Sequence, residues 1–200
     1  MKKVTLIITV IVLSTTMGTF IWLDNYYRFW TYLQTENFKA LAEYDGSNVK
    51  GVQGRQILVH KEFIPYLEKI NNVAIKNGVT VQVNSSYRLP DSNPDRTRHK
   101  QAANSNHFAG FAIDFNLILN GEKYFAYNLS KSNLSKQPLP VRKFIADIKK
   151  IKGLRWGGDF NDPIHIDAGL NKRNKKRYNE YVKSCKADYL NAPPKWKFWK

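Results

Sequence analysis

Two short segments hold side chains whose types and spacing could do chemistry. The first is Ser105-Asn106-His107-Phe108-Ala109-Gly110-Phe111-Ala112-Ile113-Asp114-Phe115, in which an imidazole precedes a carboxylate by seven positions. Read as a strand, it puts Asp114 on one face with Ala112 and Asn116, while Phe111, Ile113, Phe115 and Leu117 take the other. An acidic residue in the middle of an apolar strand is costly unless something cationic compensates it. By itself the pair fits two readings: a core histidine bonded to a strand aspartate, or two ligands of a kind that zinc accepts.

The second segment is Trp156-Gly157-Gly158-Asp159-Phe160-Asn161-Asp162-Pro163-Ile164-His165-Ile166-Asp167. In a strand, His165 and Asp167 share a face, and Asp162 stands three residues before His165 in a proline-containing turn. A catalytic zinc needs three protein ligands, an open position and a nearby carboxylate that is not a ligand. The two segments together supply that inventory, with His107, Asp114 and His165 as ligands and Asp162 as general base. Asp159 and Asp167 then read as supporting residues. His60 and His99 lack any such context and read as surface residues.

The elements that must position these groups are legible in outline. Phe63, Leu67, Ile70 and Ala74 recur at helical spacing across residues 61–76, and Asn77-Gly78 ends the helix. Val79 to Val83 alternates as a strand. Residues 89–106 are polar and read as a long loop. Residues 111–119 form a second strand, with Asn120-Gly121 as a hairpin turn into Tyr124-Phe125. A helix follows Pro140 with Phe144, Ile148 and Ile151 on one face, and Ile164-His165-Ile166 is a short last strand. The expected fold is α+β, a small antiparallel sheet flanked by helices.

The motifs also carry a resemblance. The first segment fits S-x-H-x-x-G-x-A-x-D at every fixed position, the second resembles W-G-G-D-[FW]…D-x-x-H, and Ser85-Ser86-Tyr87-Arg88 resembles an S-x-Y-R element. In that order they resemble the zinc D-alanyl-D-alanine carboxypeptidases and dipeptidases and the L-alanyl-D-glutamate endopeptidases, whose zinc scaffold is similar to the hedgehog signalling domain. The resemblance implies one zinc per chain on His107, Asp114 and His165, a catalytic carboxylate at Asp162, a transition-state-stabilising arginine at Arg88, and a substrate contact at Ser105. An aspartate at 162, with the Trp-Gly-Gly-Asp run, is closest to the endopeptidase branch. The Ile166-Asp167 that follows His165 departs from the aromatic and Gln or Glu expected there. The implied activity is cleavage of peptidoglycan stem peptides, most simply at L-Ala–D-Glu. Its alternatives are a D,D-carboxypeptidase or a non-catalytic wall-binding module.

Composition sets the surroundings. Among 200 residues, 32 Lys and Arg stand against 16 Asp and Glu, a net charge of +16. That excess suits an anionic membrane or wall polymer. No nucleic-acid recognition motif accompanies it. Residues 4–23 carry no charge over a length that as a helix spans about 30 Å, so 1–23 reads as a transmembrane signal anchor. Residues 24–50 then read as a tether, 51–170 as the zinc peptidase domain, and 171–200 as a basic aromatic tail. The resulting location is the cell envelope, with the catalytic domain outside the cytoplasmic membrane, or secretion if the signal is cleaved. The single Cys185 excludes any disulfide within the chain.

Overall fold

The structure is a computed structural model, and it describes residues 12–20, 31–90 and 103–196. Contacts divide the chain into two units, Met1–Gln34 with Pro193–Lys200, and Thr35–Ala192. In the first, β1 (Thr31–Leu33) pairs antiparallel with a strand at Pro194–Trp196. Residues 12–20 are helical. Among the described residues no helix is long and apolar enough to cross a membrane. Most of the expected span 4–23 lies outside the described residues, as do His99 and the tail's last four residues.

The second unit begins well before residue 51. Strand β2 (Leu41–Tyr44) falls inside the expected tether, and β3 (Val49–Gly51) crosses its expected end. β2 pairs with β4 (Ile57–His60). Helix α1 (Ile64–Lys76) follows, with proline in its opening turn, where no amide hydrogen is needed. It leads into β5 (Thr80–Ser85). β6 (Ala112–Leu119) and β7 (Glu122–Tyr124) form a hairpin through Asn120 and Gly121, both at positive φ. Helix α2 (Leu139–Lys150), β8 (Arg155–Trp156), β9 (His165–Asp167) and helix α3 (Lys175–Asn191) complete the unit.

The main sheet has six strands in the order β3-β5-β6-β9-β8, with β7 also on β6. It is mixed rather than antiparallel, because β3 and β5 run parallel. Parallel neighbours need a long crossover, which here passes through β4 and α1. Val81, Val83, Ile113, Phe115 and Leu117 alternate onto one face and join Leu67 and Ile70 of α1 and Phe144 and Ile148 of α2 in the core. Each such fully buried side chain contributes roughly 1.5–3 kcal/mol. The residues between them on β6, Asp114 and Asn116, are half-buried on the opposite face.

Helix α3 occupies the stretch expected as a tail and is part of the fold. Tyr178 and Cys185 are buried. The Tyr178 hydroxyl donates to the Ser105 carbonyl at 3.0 Å, and the Asp188 carboxylate accepts the amides of Lys39, Ala40 and Leu41 at 3.1, 2.7 and 2.8 Å. His60 corrects another expectation, since it is buried. Its Nδ1 accepts the Glu62 amide at 3.1 Å and its ring stacks on Tyr181.

Candidate metal centre

Three side chains, two from the sheet and one from a turn leading into it, converge at one point. Asp114 on β6 and His165 on β9 are direct register partners. His107 comes from the 3-10 turn Asn106–Ala109, which leads into β6. His107 Nε2 lies 3.1 Å from Asp114 Oδ1 and 3.2 Å from His165 Nδ1, and His165 Nδ1 lies 2.9 Å from Asp114 Oδ1. The three form the group among the described residues that could hold a metal ion.

Hydrogen bonds behind the rings fix which nitrogen faces inward. His107 Nδ1 donates to the Ser86 carbonyl at 2.6 Å, so Nε2 presents a lone pair. His165 Nε2 donates to Asp167 Oδ2 at 3.0 Å, so Nδ1 likewise presents one when the ring is neutral. Two imidazole lone pairs and a carboxylate oxygen thus face one another with no donor between them, an arrangement that repels unless a cation sits at its centre. Ligands about 2.0–2.1 Å from a tetrahedral zinc lie about 3.3 Å apart. The observed sides of 2.9 to 3.2 Å are close to that. The donor set therefore fits zinc.

Without a metal, a proton must serve. Burial alone would lower the pKa of His165, but the Asp114 and Asp167 carboxylates outweigh it and raise it to about 9. Burial lowers the pKa of His107, against the pull of Asp114. Burial would raise Asp114, yet His107, His165 and Arg88 hold it well below the usual carboxylate range.

Arg88 reaches the same cluster. Its Nη2 donates to Asp114 Oδ2 at 3.1 Å, its amide reaches the His107 carbonyl at 3.3 Å, and its buried Nε has no hydrogen-bond partner among the described residues. Asp162 stands at the rim as an exposed residue. Even so, partial desolvation of its carboxyl raises its pKa, and the Asp114 charge adds to this against the cationic pull of His165. Ser105 is not in the cluster. Its hydroxyl accepts the His107 amide at 3.4 Å and caps the 3-10 turn.

The Trp156-Gly157-Gly158-Asp159 run has a mechanical explanation. The Trp156 indole donates to the Pro163 carbonyl at 2.8 Å, closing the turn that carries Asp162. Gly157 lies so close beneath this turn that a Cβ would come within 2.0 Å of the Asp162 carbonyl oxygen and 2.8 Å of His165 Cβ. Asp159 points away from the cluster, to Lys149 at 3.0 Å and Lys131 at 3.3 Å. Behind His165, Asp167 is buried and binds Arg155 through both oxygens at 2.7 Å, and Asn106 donates to it at 3.1 Å. Arg155 and Asn106 carried no signal in the sequence. Arg155 is opposite Asp167 in the β8–β9 register, which spacing alone does not reveal.

Compared with known families, residues 98–168 match the model described as D-alanyl-D-alanine carboxypeptidase. This is a family of zinc peptidases. The matched stretch is about a third of the chain and contains His107, Asp114, Asp162 and His165. The resemblance carried by the motifs holds at the level of that family. A search of curated proteins finds no match.

Proposed function

We propose that the Thr35–Ala192 unit is a zinc-dependent endopeptidase of peptidoglycan stem peptides, cleaving the L-Ala–D-Glu bond. The observation that carries the zinc reading is the convergence of one ring nitrogen each from His107 and His165 and one Asp114 oxygen, all within 3.2 Å of one another. His107, Asp114 and His165 would hold the zinc, which would supply a Lewis acid for the scissile carbonyl and bring the pKa of a water towards neutrality. Asp162 takes a proton from the attacking water and returns it to the leaving amine, a role worth about 10²–10⁴ in rate. Its exposed position at the rim leaves it open to substrate, as a general base must be. Arg88 fixes Asp114 through one nitrogen and brings its charge to the oxyanion that forms on the attacked carbonyl. Ser105 acts by holding the His107 turn, and a direct substrate contact from it is not part of the proposal.

The choice of bond rests on Asp162 and on the Trp156–Asp159 turn that carries it, the features that favour the endopeptidase branch. The description of the matching family favours a second reading, release of a terminal D-Ala. Either substrate lies outside the cytoplasmic membrane, which gives the uncharged residues 4–23 a role as anchor or export signal. The excess positive charge then favours an anionic wall or lipid. Mass spectrometry of purified peptidoglycan treated with the chain, with and without a zinc chelator, tests the proposal. Chelator-sensitive fragments with new D-Glu amino termini are expected. Loss of terminal D-Ala instead establishes the carboxypeptidase reading, and no cleavage by the zinc-loaded protein overturns both.

A further inference from the structure

Asp167 has more hydrogen bonds than a residue merely filling a strand position requires. Its Oδ1 accepts Arg155 Nε and the Gly169 amide, both at 2.7 Å. Its Oδ2 accepts Arg155 Nη2 at 2.7 Å, His165 Nε2 at 3.0 Å and Asn106 Nδ2 at 3.1 Å. Only 3% of the residue is exposed. Asn106 is equally enclosed and equally occupied. Its Oδ1 accepts the Asn171 amide at 2.9 Å, and its Nδ2 also reaches Asn171 Oδ1 at 3.2 Å. Asn106 directly precedes His107 in the 3-10 turn, so the rear of one histidine segment is bonded to the support of the other.

We infer that Asp167, clamped by Arg155 and Asn106, is a positioning residue that orients the His165 ring and ties it to the His107 turn, so that both histidines are set as one unit. The inference rests on the zinc reading and adds to it residues that do not touch the metal. A carboxylate behind a ligating histidine fixes its tautomer and ring plane, and such partners are worth about 10–100-fold in metal affinity. Arg155 has two effects here. Its bidentate grip restrains Asp167 from swinging forward as a further ligand, and its charge cancels that of Asp167. The donor set then carries only the one negative charge of Asp114, which leaves the bound cation electrophilic. Packing alone gives no reason for this arrangement, since a buried ion pair is often no more stabilising than an apolar pair of the same volume. Asp167 is also where the chain departs from the Gln or Glu expected two positions after the histidine ligand.

The test is zinc affinity by competition with a chromophoric chelator, with the visible spectrum of the cobalt(II)-substituted chain as a second readout. Asp167→Asn is expected to weaken zinc binding about 10–100-fold and to shift the cobalt bands, because His165 loses its charged support. Asn106→Ala is expected to weaken it by a smaller factor with a similar band shift, and Asn106→Ser serves if the alanine variant does not fold. Zinc affinity within about threefold of wild type and unchanged cobalt bands, with only the thermal stability of the metal-free chain lowered, overturns the inference and leaves Asp167 as a structural residue. A wild-type chain that takes up no zinc overturns the metal reading itself, so the two failures are distinct.

Discussion

The regions that deliver the two histidines use opposite means to the same end. His107 comes from a short turn, is fully buried, and rests on a neutral backbone carbonyl at Ser86. His165 comes from a strand and rests on a carboxylate that is itself held by an arginine. A carbonyl fixes the tautomer without adding charge, so burial dominates and His107 stays neutral. Two flanking carboxylates make His165 the group that holds a proton when no metal is present. One histidine thus offers its lone pair near neutral pH, whereas the other must give up a proton before it can bind.

Removing either histidine should have the largest effect and tests whether the two are equivalent as ligands. His107→Ala and His165→Ala are each expected to lower zinc affinity by more than the about 10–100-fold of a supporting residue, as read by bound zinc after gel filtration. Stoichiometric zinc in one variant and none in the other would remove the first residue from the ligand set. Asp162→Ala should separate chemistry from binding. It is expected to keep its zinc while the rate of peptide cleavage falls about 10²–10⁴-fold. Loss of zinc in that variant would make Asp162 a ligand rather than a base.

The same contrast was only partly legible in the sequence. Alternation along residues 111–117 placed Asp114 opposite the apolar residues, as the structure has it, because strand period follows directly from residue type. The histidines and Asp114 come together because β6 and β9 pair in one register, and a motif indicates this only through resemblance. The supports were harder to see. A backbone carbonyl such as that of Ser86 has no signature in sequence, and Arg155 becomes meaningful only once it stands across from Asp167. Helix α3 was hidden for another reason. Its inward stripe, with Tyr178 and Cys185 buried and Tyr181 and Val182 partly buried, is diluted by lysines on the remaining faces, so the segment reads as a charged tail. The strands at 41–51 are too short for alternation to register.

Two glycines sharpen the comparison at the level of backbone. Gly110 ends the His107 turn at φ +71°, where a Cβ would lie 2.5 Å from the His60 amide nitrogen. Gly110→Ala should therefore destabilise the fold by about 1–3 kcal/mol, through left-handed strain and a clash with backbone that cannot move aside. Gly157→Ala presses instead on the Asp162 carbonyl and on His165 itself. Its cleavage rate should fall further than its urea-unfolding midpoint explains. A rate loss in Gly157→Ala no greater than in Gly110→Ala would show that the turn beneath Asp162 tolerates displacement.

The proton on His165 gives the comparison a pH axis. Its folded pKa of about 9 exceeds the ordinary 6.5, so the stabilisation it brings to the metal-free chain is complete below pH 6.5 and lost as pH rises through about 9. Asp114 and Asp167 are shifted the opposite way, and their contribution is lost as pH falls below the ordinary carboxylate value of 3.8. Melting temperature with a chelator present should thus decline between pH 6.5 and 9, while the zinc-loaded chain, which has already released that proton, should not show this decline. Identical pH profiles with and without zinc would place the proton elsewhere.

The smallest expected effect concerns the acid that stands three residues before Asp162. Asp159 shares the Trp156–Asp162 turn but, among the described residues, pairs only with Lys149 and Lys131, with 44% of its side chain exposed. Solvent screens such pairs, so Asp159→Asn should change stability by less than about 0.5 kcal/mol. Its zinc content should stay at the wild-type level, as in Asp162→Ala, and its cleavage rate should stay there too, in contrast to that variant. The physical difference between the two acids is direction: one carboxyl lies within reach of the His107, Asp114 and His165 charges, and the other tethers the turn to the surface of α2. A rate loss in Asp159→Asn comparable to that in Asp162→Ala would mean that the turn itself, rather than the carboxyl at its end, limits the reaction.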